Sequence, residues 1–233
     1  MTVITSTMRR DNQLAGWTAL FAAMMMLAAL ALSISVTGSD NNLMLDPARA
    51  LALPEAKIKS FRLFLLADSF GYYLPFLIIG AHLWRRLRDA GGVAIDAGAL
   101  CLLAYVLLGV AGTSIQFAVI PQLVAAHATG DAGVRAASEA AWLATVWGTQ
   151  KGLWLMEGPT MAFWGVATGL SMRAQGMKYG PILAAVGALY GLLFVLFCLG
   201  ADAIGEMIVM AGVLLALVWA ALTGIALLRE GAP

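Results

Sequence analysis

Six side chains in a very apolar chain are of types that can do chemistry together: Asp68, Tyr72, Gln116, Lys151, Trp154 and Glu157. Ionisable groups inside a bilayer are costly and are functional candidates by default. Counting at 1.5 Å per helical residue gives their depth. Asp68 precedes Arg85 by 17 residues, which places it roughly 25 Å above that basic residue. Glu157 precedes Arg173 by 16 residues, or roughly 24 Å. The two segments run in the same direction, so the carboxylates are expected at one level in the outer half. Gln116, 20 residues beyond Asp96, reaches the same half, and Lys151 lies six residues further out than Glu157.

The neighbours of the two acids are alike. Asp68 is followed by Ser69, Phe70, Gly71, Tyr72, Tyr73 and Pro75, and Glu157 by Gly158, Pro159, Thr160, Phe163 and Trp164. Proline removes a helical hydrogen bond, kinks the helix and frees a carbonyl. Acid, aromatic and proline together suit a pocket wall. The expectation is a ligand or proton site at Asp68, Glu157, Lys151, Gln116, Tyr72 and Trp154. Two carboxylates close together in a low-dielectric layer cannot both stay ionised cheaply. The plainer alternative is an ion pair or hydrogen-bond knot with Lys151 that only sets helix register.

Other chemistry fits poorly. His82 and His127 count to opposite faces, so they cannot hold one haem iron, and no cofactor or metal is expected. Lys151 counts too near the interface for a retinal-type Schiff base. Cys101 and Cys198 also lie near opposite faces. Phosphate loop, G-x-S-x-G and H-E-x-x-H patterns are absent. Trp142 and Trp147 suit an outer aromatic belt, while Trp154 and Trp164 lie deeper, where they pack or line the pocket.

The elements that must position these residues follow from composition. The 233 residues are 61% hydrophobic and 12% charged, against about 25% charged in ordinary globular domains. Their mean hydropathy is +0.87. That excludes a disordered chain and argues against a water-soluble domain. A formal net charge of +1 offers no basic face to nucleic acid. A membrane-spanning helix needs about 20 apolar residues. Six segments qualify: 14–36, 63–84, 97–120, 140–172, 179–201 and 207–228. Arg9 and Arg10 before the first could open a signal peptide, but the run is too long, so a retained helix is expected. The third segment is expected to stop at Pro121, with a loop from Pro121 to Glu139. Asp46-Pro47 reads as an N-cap and first helical position, predicting a short interfacial helix over Pro47–Leu53.

The expected fold is therefore all-α, one domain over residues 1–233: a polytopic bundle of six transmembrane helices in a lipid bilayer. The basic clusters Arg9–Arg10 and Arg85–Arg88 flank one side, so both termini are expected in the cytoplasm. Gly148 with Gly152, Gly165 with Gly169, and Gly187 with Gly191 are small-xxx-small steps. They suit packing within the bundle or a homodimer face.

The stretch Ser171–Gly191, a short basic turn leading into a Gly-rich helix with a Tyr, resembles a family of uncharacterised bacterial six-helix membrane proteins. The resemblance covers about the last third of the chain, and implies a fold class and a bacterial origin but no activity and no functional residues; the expected location is the plasma (inner) membrane. The leading functional expectation is binding or transport of a small-molecule solute, proton-coupled through Asp68 and Glu157. The alternatives are an accessory or assembly subunit of a membrane complex, marked by stable co-purification, and a membrane-embedded lipid-modifying enzyme, marked by lipid turnover.

Overall fold

The structure is a computed structural model that describes residues 2–38, 40 and 43–230. Residues 39, 41 and 42 of the expected link between the first two segments lie outside the described ones. Among the described residues the chain is 91% helical with no strands. The helices are α1 (Thr2–Thr37), α2 (Pro47–Leu51), α3 (Glu55–Asp68), α4 (Leu74–Thr129), α5 (Ala132–Trp147), α6 (Glu157–Ala174), α7 (Gly180–Cys198) and α8 (Asp202–Glu230). Four helical stretches are long and apolar enough to cross a membrane: Met8–Thr37, Glu55–Thr129, Gly180–Cys198 and Ala203–Glu230. This is the pattern of a multi-pass membrane protein. Large apolar side chains such as Trp17, Leu100 and Leu107 face outward, as lipid solvation permits.

The expected second and third segments are two arms of one helical hairpin. Asp68 ends α3, and a π-helical turn at Ser69–Tyr73 leads directly into α4. The corner is Gly92, whose φ of 52° and ψ of −141° only glycine adopts without strain. The arms pair antiparallel. Trp84 Nε1 donates to Asp96 at 2.7 Å, the rings of Tyr73 and Tyr105 meet tilted at 51° with centroids 5.3 Å apart, and Ser69 Oγ lies 3.0 Å from Thr113 Oγ1. The 85–96 link is thus helical on both sides of Gly92 rather than an open loop.

Two expected boundaries are corrected. Pro121 does not stop the helix, which runs on to Thr129. Leu123 and Val124 beyond it pack on a satellite core around Trp142, and that burial offsets the one missing hydrogen bond. The expected 121–139 loop shrinks to Gly130–Asp131, and Asp131 caps α5 by accepting from the Val134 amide at 3.0 Å. The expected 140–172 segment is divided. α5 passes into a second π-helical turn at Gly148–Leu153, and the chain then leaves helix at 154–156 before α6 begins at Glu157. The short helix after Asp46 forms over Pro47–Leu51, with Asp46 accepting from the Arg49 amide.

The glycine steps are used unequally. Gly165 and Gly169 on α6 meet α7, where an added Cβ on Gly165 would stand 2.8 Å from the Gly187 Cα. Gly187 meets α6 in return. Around Gly148 and Gly152, in the second π turn, nothing lies within 4 Å of an added Cβ. Trp142 is fully buried, and its Nε1 donates to the Met44 carbonyl at 2.9 Å, so it pins α5 to the 43–45 turn instead of joining an interfacial belt. Trp147 is half exposed.

Candidate functional site

Asp68 closes α3, and the turn after it is π-helical. In an α-helix the residue above position i is i+4, because 3.6 residues make a turn. In a π turn the hydrogen bond, and with it the stacked position, moves to i+5. Tyr73, five residues beyond Asp68, is therefore brought round to the side of the carboxylate, and both line one cavity. Gly109 on the facing arm makes room for the Tyr73 ring, which an added Cβ would overlap.

Glu157 arrives from another element. The second π turn and the break at 154–156 end the preceding helix, so Glu157 occupies the first turn of α6. The amides of Glu157 and Gly158 bond back to the Trp154 and Leu155 carbonyls, and the carboxylate lies near the positive end of the helix dipole. Pro159 follows within the same turn, where its missing N–H costs little. Trp154, in the break, sends its Nε1 toward the Gly109 carbonyl at 3.4 Å, and Gly112 leaves space for the indole. Tyr73 lies on the same cavity wall as Glu157. The cavity thus brings together carboxylates that are 89 residues apart in sequence.

The two acids line one cavity of about 390 Å³. Tyr72, Tyr73, Tyr105, Gln150, Lys151, Trp154, Tyr190 and Phe197 share its wall. Tyr105 and Tyr190 meet edge to face, with ring centroids 6.2 Å apart. One end is closed by an aromatic floor in which Phe76 lies 5.8 Å from Trp164 and 5.9 Å from Trp219. Trp164 therefore packs below the cavity rather than lining it. Two wall atoms are orphaned: Glu157 Oε1 and the Tyr72 hydroxyl are buried without a hydrogen-bond partner. Both residues are 6% exposed.

Of the six residues singled out by sequence, Asp68, Tyr72, Lys151, Trp154 and Glu157 meet at this cavity and Gln116 does not. Gln116 is fully buried behind the wall, and its Nε2 donates to Thr149 Oγ1 at 2.7 Å. It ties α4 to the second π turn. Lys151 forms no ion pair with either acid; its Nζ sits 4.3 Å from the centroid of the Phe197 ring. None of the ion pairs among the described residues involves Asp68 or Glu157. Sequence reasoning missed Tyr73, Tyr105 and Tyr190 as wall residues. A helical wheel favours Tyr72 over Tyr73, and tyrosines in apolar helices read as ordinary packing. No group of three or more His, Cys, Asp or Glu among the described residues is arranged to hold a metal ion.

The fold and this cavity define a class: a helical, multi-pass membrane-type protein with a buried acidic and aromatic chamber. No protein-family model, no curated protein and no solved structure matches the chain.

Proposed function

We propose that this chain is a plasma-membrane protein of bacterial type that crosses the bilayer six times, binds a small solute in the cavity and moves it across the membrane. In this reading α1, the two arms of the Gly92 hairpin, the α5–α6 segment, α7 and α8 are the crossings, and both termini are cytoplasmic. Two ion pairs support the arrangement. Arg85 meets Asp11 at 2.9 Å and Arg86 meets Glu230 at 2.7 Å, which gathers the start of α1, the first arm's end and the end of α8 at one face. Asp68 and Glu157 contact the solute and carry the coupled proton.

The observation that carries the reading is the chamber itself. Its size falls within the usual range of ligand pockets, about 300–1,000 Å³, and it holds two acids and two orphaned polar atoms. The test is flux in proteoliposomes loaded with a pH-sensitive dye, read as solute-dependent proton movement. Asp68→Asn and Glu157→Gln are expected to remain monodisperse and to lose flux. Variants that keep full flux, or a lower melting temperature as their sole defect, would overturn the reading.

A further inference from the structure

We propose that the solute is a small organic cation, a protonated amine or quaternary ammonium, whose charge is met by Asp68 and Glu157 and whose carbon skeleton lies on Trp154, Tyr190 and Phe197. The proposal rests on the pocket reading above and names its substrate class.

Charge accounting comes first. The chamber presents two carboxylates, and none of the ion pairs among the described residues supplies either with a cation. The basic residue of the wall, Lys151, has its ammonium on the Phe197 ring instead. An anionic solute would meet whichever of the two acids is ionised as a like charge. A neutral solute would leave the acids to be neutralised by protons alone. A cation answers both, since a buried charge is tolerated when paired and hydrogen-bonded.

The orphaned atoms agree. Glu157 Oε1 is an acceptor with no donor, and the Tyr72 hydroxyl on the same wall can also accept. Both match the N–H groups of a protonated amine, while a quaternary ammonium would be held by charge and ring faces alone. The rings supply the rest. Aromatic faces attract cations at centroid distances within about 6 Å, and most strongly when desolvated. Lys151 over Phe197 shows that an ammonium already rests on this wall. A bare proton would neutralise a carboxylate but has no use for about 390 Å³ of space with three ring faces. The volume and the floor of Phe76, Trp164 and Trp219 limit the solute to a compact skeleton.

The test uses the full chain purified in detergent and four probes of similar shape: benzylamine, benzyltrimethylammonium, benzyl alcohol and benzoate. Binding is read by tryptophan fluorescence, to which Trp154 contributes, and by the shift in melting temperature. The two cations are expected to bind and the alcohol and acid to fail. Glu157→Gln is expected to weaken cation binding about tenfold or more, the scale of one charge-assisted contact. The ranking of the four probes on the native chain needs no variant, so a misfolded Glu157→Gln leaves the test intact. Benzyl alcohol or benzoate binding as tightly as benzylamine would overturn the cation class while leaving a solute pocket standing. No response to any of the four would overturn the pocket reading as well.

Discussion

The two neighbouring tyrosines of the first π turn have opposite circumstances. The Tyr73 ring is buried against Tyr105 and over Gly109, whereas the Tyr72 hydroxyl is buried with no partner. Truncating a buried aromatic side chain costs about 3–5 kcal/mol. Tyr73→Ala should therefore lower stability by about that amount. Tyr72→Phe removes an unpaired polar atom and should leave stability unchanged or raised, while weakening binding of the benzylamine probe. Thermal unfolding of the two variants in the same detergent checks the contrast. Equal losses in both would contradict these assigned surroundings. The acids themselves were legible, because charge in an apolar run stands out. The approach of Tyr73 to Asp68 was not, because it depends on one residue of extra helical turn that no side-chain type announces.

At the scale of elements, the site depends on how closely α4 lets its neighbours approach. Gly109 and Gly112, three residues apart on one face, receive Tyr73 and Trp154. An added methyl group at Gly109 would overlap the Tyr73 ring, and overpacking of this kind costs about 1–3 kcal/mol. Gly109→Ala is expected to lower the melting temperature and, by displacing the Tyr73 ring from its place in the cavity wall, to weaken probe binding. An unaltered probe affinity in that variant would show that Tyr73 does not hold the wall. Gln116 acts from behind. Its bond to Thr149 holds the second π turn against α4, so Gln116→Ala should cost stability through both a lost hydrogen bond and a cavity. The affinity of the correctly folded fraction should change little, which a titration with benzylamine would read. The hairpin corner gives a third case. Gly92 has a positive φ, and a side chain there carries strain of order 1–3 kcal/mol. Gly92→Ala should destabilise the fold without touching the cavity, visible as a lower melting temperature with unchanged probe ranking.

For the whole molecule, the proposed topology places Pro233 in the cytoplasm. A reporter fused after Pro233 that is active only in the cytoplasm is the expected result, and periplasmic activity would reverse the orientation. The two ion pairs at the terminal face are partly exposed, so each is worth about 0–1 kcal/mol and weakens with salt. They mark which helix ends meet; the antiparallel packing of α6 on α7 and of α1 on α8 holds the bundle. An added Cβ on Gly16 would stand 3.1 Å from the Gly224 carbonyl oxygen, which shows how closely α1 and α8 approach.

By itself the sequence determined that this is a helical chain for an apolar solvent, because long uncharged runs have no other way to satisfy their backbone in lipid. It also determined which few polar residues are costly enough to matter, since each stands alone against its surroundings. Tertiary structure decided the rest. Helix ends at Pro121 and within 140–172 were set by what the flanking residues pack against, and no local pattern records that. Whether Gln116 faced the chamber or the wall behind it turned on helix rotation. The meeting of Asp68 and Glu157 at one cavity follows two π turns, each shifting the side chains after it by one position. Such shifts are small in local energy and are chosen by packing across elements, so they appear only when the helices are placed together.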